Sequence, residues 1–191
     1  LFPFFATYLH RLGFDLEVSQ GAGQAALKRG IEQANVPFCA PMQQYHGLVG
    51  AMAERRPDYL FVPMVREIPR VGDERASKLC PVVQGSADVV RLDLGPALQA
   101  RIVSPVVNFG REGLDSEAFQ ESCRALAAEL GVHAERTWRA AWVEACVAQR
   151  RFDGQLLDLG RRALERCRAD GIIPVVVLGR AYTIHNDVLN S

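Results

Sequence analysis

Two continuous apolar runs limit what this chain can fold into. They are residues 59–65 (YLFVPMV) and residues 172–178 (IIPVVVL). Neither alternates apolar with polar positions. A strand apolar on both faces is covered on both faces, which is the habit of parallel sheets flanked by helices. A third run, residues 99–107, holds IVSPVV and predicts a strand that Pro105 confines to an edge or ends. Helical spacing fills the intervals: residues 5–13, 25–34 and 41–54, the last with Pro41 in its first turn. Residues 14–18 alternate and predict a strand. Residues 36–38 are a minimal extended segment, 66–78 a long loop, and 82–90 a strand-like start running into a helix. Residues 116–130 predict a helix capped by Ser116. Residues 134–169 predict two helices meeting near Phe152-Asp153-Gly154. The order of elements is that of an α/β protein with a parallel sheet.

Composition shifts after about Phe109. Three blocks follow: an α/β lobe over residues 1–108, a helical block over 109–170, and the start of a second α/β lobe over 171–191. The chain lacks an initial methionine and breaks off after VLNS, so it reads as a piece of a longer protein. Lysine plus arginine number 22 and aspartate plus glutamate number 22, a balance that offers nothing to nucleic acid or an anionic membrane. No apolar run approaches the roughly 20 residues of a membrane span.

The five cysteines, at 39, 80, 123, 146 and 167, are odd in number, irregular in spacing and free of any CxxC pair. This pattern disfavours a disulfide framework or zinc finger and points to a reducing compartment, the cytoplasm. Ligands in open parallel sheets gather where strands end. The first extended segment delivers Cys39. The second ends at Met64 and leads through its loop to Cys80. The third delivers Gly179, Arg180 and Tyr182. Thiolates so placed suit an iron–sulfur cluster, although free cysteine is also among the most buried residue types. Cys123, Cys146 and Cys167 fall on alanine- and leucine-rich helix faces and read as core. Arg180 suits a carboxylate, a phosphate or a surface ion pair. His46 reads as a polar helix-face residue, and His185 with Asp187 as part of a polar turn. Gly21-Ala22-Gly23 is too short for a dinucleotide fingerprint, and no Walker A, GxSxG or HExxH sequence occurs.

Four segments, CAPMQQYHG, DYLFVPMVRE, CPVVQGSADVVR and PVVVLGRAYTIHNDVLN, together resemble the uncharacterised domain of the large activase proteins associated with 2-hydroxyacyl-CoA dehydratases. The resemblance covers nearly the whole chain. It implies Rossmann-like lobes, ATPase modules elsewhere in the same longer chain, and a partnership with a dehydratase whose subunits hold iron–sulfur clusters. It marks Cys39, Pro41, His46 and Gly47, then Cys80, Pro81 and Gln84, then Gly179, Arg180 and Tyr182. The implied metal ligands are Cys39 and Cys80, of a [4Fe–4S]-type cluster; Gly179, Arg180 and Tyr182 line the cofactor site. The pattern is broken at Gln43, where relatives have lysine, at Met64, where they have cysteine, and at Ala181, where they have proline. A thioether is a poor cluster ligand. Two thiolates fall short of four, so either a second chain contributes, as in a homodimer bridged by the cluster, or no cluster is bound. The alternative is a non-catalytic scaffold that positions the ATPase modules and carries no metal.

Overall fold

The computed structural model describes residues 1–19, 21–70, 72–75, 77–95 and 98–190. In chain order the helices are α1 (Phe2–Arg11), α2 (Gln24–Gln33), α3 (Ala40–Ala53), α4 (Pro81–Gln84), α5 (Ser86–Leu94), α6 (Glu117–Glu129), α7 (Glu135–Ala169) and α8 (Ala181–Ile184). The strands are β1 (Tyr59–Phe61), β2 (Met64–Val65), β3 (Arg101–Val103) and β4 (Val106–Val107). The architecture is mixed helix and sheet with short parallel strands. Two compact units form: residues 1–17 with 130–179, and residues 18–129 with 180–191.

The second unit holds the sheet. β1 pairs with β3 and β2 with β4, both parallel, in the register Leu60 to Ile102 and Met64 to Val106. The 59–65 run is thus one predicted strand in two pieces. Pro63 and Pro105 supply no N–H, and each falls between the paired pieces. Bonds from Val62 N–H to Val103 C=O (2.9 Å) and from Met64 N–H to Pro105 C=O (2.9 Å) carry the ladder across the gap. Parallel strands need a crossover, and here α4 and α5 lie within it. Leu60, Val62 and Ile102 pack with Val49 of α3 and Ala87 and Val90 of α5, all buried. A second apolar cluster lies around α6, where Phe109 and Phe119 stack at 4.6 Å between centroids. Ser116 caps α6 as expected, its hydroxyl accepting the Phe119 N–H at 3.0 Å.

Helices α2 and α3 approach backbone to backbone. A Cβ built on Gly30 would lie 1.6 Å from the Gln43 carbonyl oxygen, and one on Gly47 would lie 1.9 Å from that of Ala26. Only glycine permits this contact.

In the first unit α1 packs along α7. Phe4 and Tyr8 are buried in it, as are Trp138, Ala141 and Ala145. The buried Gln149 side chain accepts the Phe4 N–H at 3.3 Å, and Arg11 pairs with Glu144 at 2.7 Å.

Four expectations need correction. Residues 14–18 form no strand; Leu16 and Val18 are exposed, and no ladder among the described residues is there to join. Residues 82–90 do not begin as a strand: Pro81 opens α4, and Gly85 separates α4 from α5. Residues 134–169 contain one helix of 35 residues rather than two. Glycine at 154 costs only about 1 kcal/mol in a helix. Around it Gln149 bonds to Asp153 (2.8 Å), and further along Asp158 pairs with Arg161 (2.9 Å). Finally, residues 172–178 are neither paired nor buried; Ile173 is 86% exposed and Leu178 90%. A strand exists only through neighbours, and none of the described residues supplies one.

Candidate functional site

The second unit carries most of the residues singled out by sequence. Cys39 immediately precedes α3, and its carbonyl accepts the N–H groups of Met42 (2.9 Å) and Gln43 (3.1 Å). Cys80 precedes α4 in the same way, its carbonyl accepting Gln84 N–H at 3.1 Å. Both thiols are exposed, whereas Cys123 and Cys146 are buried and Cys167 is half-buried. Burial of Cys123 and Cys146 agrees with their reading as core; Cys167 is only partly covered. A common reason places Cys39 and Cys80. Each stands just before a helix with proline in its first turn, where the chain leaves an extended conformation.

Met64 begins β2 and is half-buried, its N–H committed to the sheet. Helix α4 packs on β2, so the element opened by Cys80 neighbours the strand carrying Met64. Helix α3, opened by Cys39, packs on α5. Gly179 belongs to the first unit and Arg180 to the second, where Arg180 is exposed and its carbonyl starts α8. The side chain of Tyr182 lies outside the described residues. No group of three or more His, Cys, Asp or Glu side chains able to hold a metal occurs among the described residues. With two exposed thiols and no third ligand gathered about them, the described residues of one chain do not fit a four-iron cluster unaided.

His46 corrects its own reading. It is not a solvated helix-face residue but is 1% exposed, and its Nε2 donates to Asp93 Oδ2 at 2.8 Å. Asn35 donates to the other carboxylate oxygen at 2.6 Å. The cluster ties the segment after α2 to α3 and α5. His46 Nδ1 is buried without a hydrogen-bond partner. Beside it, burial pushes the Tyr45 hydroxyl above the usual tyrosine range, opposed by Ser86, although no hydrogen bond of ordinary geometry satisfies that hydroxyl.

A cleft of about 810 Å³ lies elsewhere on this unit. Val18, Ser19, Gly21 and Gly23 form one side, and His185, Asn186, Asp187 and Val188 the other, with Arg55 beyond α3. The buried Gln44 and half-buried Asn186 amides hold the sides. Gln44 donates to Ala22 C=O at 2.7 Å. Asn186 donates to the same carbonyl (3.2 Å) and to Gln44 Oε1 (2.9 Å). Its Oδ1 accepts the N–H groups of Val188 and Leu189. Sequence reasoning treated the glycine turn and the 185–187 turn as separate loops. Nothing local signals that Gln44 and Asn186, 142 residues apart, meet.

No helix of the described residues is long and apolar enough to cross a membrane. Neither the curated proteins nor the solved structures contain a match to this chain. A family model does match, over residues 1–191. The chain belongs to the CoA enzyme activase uncharacterised domain family.

Proposed function

We propose that this chain is the docking domain of an activase-type protein that serves ATP-dependent electron transfer to a 2-hydroxyacyl-CoA dehydratase in the cytoplasm. ATP hydrolysis belongs to modules elsewhere in the longer protein, since no nucleotide-hydrolysing motif occurs here. The family match over the whole chain supports the activase assignment. The observation that carries the docking role is the contrast between exposed Cys39 and Cys80 and buried Cys123 and Cys146. Two thiols held at the surface by helix starts can meet a partner; sealed ones cannot. In this reading the cluster chemistry resides in the dehydratase, and Arg180 offers positive charge to an anionic partner or substrate.

The test is anaerobic capture. The immobilised chain is expected to retain a 2-hydroxyacyl-CoA dehydratase, and Cys39→Ser with Cys80→Ser to weaken retention. No retention from either form would overturn the proposal.

A second reading is favoured by the same exposure. Cys39 and Cys80 supply two thiolates to a [4Fe–4S]-type cluster completed by a second copy, within a Rossmann-like lobe. Reconstitution with iron and sulfide then yields a homodimer with visible absorption that the double serine variant lacks. A colourless monomer sinks this version and leaves docking without resident metal, the scaffold role that Met64 favours.

A further inference from the structure

We propose that the cleft between residues 18, 19 and 21–23 and the 185–188 turn binds a phosphorylated, hydroxyl-bearing small molecule of the nucleotide type. This is independent of the docking role, because Cys39, Cys80 and Arg180 are not in its wall. The volume of about 810 Å³ lies within the roughly 300–1,000 Å³ of small-molecule sites.

The lining sorts by chemistry. Arg55 and His185 are donors, and a guanidinium matches phosphate oxygens in a planar fork. Asp187 is a carboxylate that only accepts; it repels phosphate and suits the sugar hydroxyls next to one. Val18 and Val188 add apolar sides. Donors, an acceptor and apolar flanks in one cleft match a sugar phosphate better than a bare anion or a purely apolar ligand.

The walls are also built. Gln44, 5% exposed, spends its amide on holding Ala22 and Asn186, and Asn186 fixes the opposite turn. A buried Gln44 amide and a half-buried Asn186 amide bonded in this way hold the cleft in shape before a ligand arrives, which reduces the ordering cost of binding. Gly21 has φ +146°, a conformation other residues rarely adopt. At Gly23 the backbone is extended, and an added Cβ would meet nothing within 4 Å, so the space there is open.

That openness provides the test. Calorimetric titration of the 191-residue chain uses ribose 5-phosphate, ADP, coenzyme A and inorganic phosphate. The three sugar phosphates are expected to bind, with phosphate alone at least about tenfold weaker. Gly23→Leu, which adds bulk where the space is open at the N-cap of α2, should weaken all three by about tenfold or more while the chain stays folded by circular dichroism. Arg55→Gln should weaken them too, Asp187→Asn should narrow the gap between ribose 5-phosphate and phosphate, and Arg91→Gln on α5 should change nothing. Absence of binding by all four probes, or full affinity in Gly23→Leu, would overturn the site. Phosphate binding as tightly as ribose 5-phosphate, or ADP and coenzyme A binding while ribose 5-phosphate does not, would overturn the sugar-phosphate assignment.

Discussion

Residues 59–65 and residues 172–178 are both unbroken apolar runs with one proline, and they have opposite fates. In the second unit Leu60 and Val62 are 4% and 6% exposed, paired with a parallel strand and covered by α3 and α5. In the first unit Val175 and Val176 are 85% and 72% exposed, with no strand beside them among the described residues. Both runs have the apolar character of a covered strand. Among the described residues only the first has cover, and on one face: Leu60 and Val62 are buried while Tyr59 is 39% exposed. Apolar patterning states what a segment is able to bury, whereas burial itself requires atoms from somewhere else.

Substitutions can break this comparison. The largest effect is expected where the cover is bolted down. His46→Ala removes the partner of a buried carboxylate and should cost about 3–5 kcal/mol in urea unfolding. A loss below about 1 kcal/mol would show that the His46–Asp93 contact does not hold α3 to α5. Next, Leu60→Ala deletes core volume from the paired run at a cost of about 3 kcal/mol. Gly47→Ala forces a Cβ into the Ala26 carbonyl and should cost about 2 kcal/mol, with α2 displaced; spectra unchanged from the parent would contradict the close helix approach.

Val176→Ser sharpens the contrast from the other side. Stability should change by no more than about 0.5 kcal/mol, because no contact is lost. A loss comparable to that of Leu60→Ala would mean that residues 172–178 are covered in solution. Tyr45→Phe is likewise expected to have a small effect. Its hydroxyl makes no well-formed hydrogen bond, so the neutral-pH cost should stay below about 1 kcal/mol. Because burial raises the pKa of Tyr45, the folded state resists its ionisation. Its contribution is complete below the unfolded tyrosine value of about 10 and is lost as pH rises through the folded value. Between those two values stability should therefore fall less steeply with pH for Tyr45→Phe than for the parent.

The placement of Cys39 and Cys80 at helix starts was legible because its signals are local. Proline just after Cys39 and Cys80 announces two helix starts, and the structure places an exposed thiol before each. Ser116 announced its cap for the same reason. Proline at 105 announced a break in the third run, and the strand divides there into β3 and β4. The failures were non-local. His46 looks like a polar residue on a helix until Asp93 arrives from α5, and the cleft needs Asn186 to reach Gln44 and Ala22. The weak glycine in α7 looked decisive and was not, since good helix formers on either side outweigh one residue's entropy.

The amino-acid sequence by itself determined the mixed helix and strand content, the prolines that divide the strands, and the small glycines that let α2 lie on α3. Those follow from dihedral limits and side-chain size, which each residue carries with it. Tertiary structure alone decided which apolar run is covered, which histidine is buried beside a carboxylate, and which distant turns enclose a cleft. Those depend on contacts between residues far apart in the chain, and no local preference encodes a contact with a partner it has not yet met.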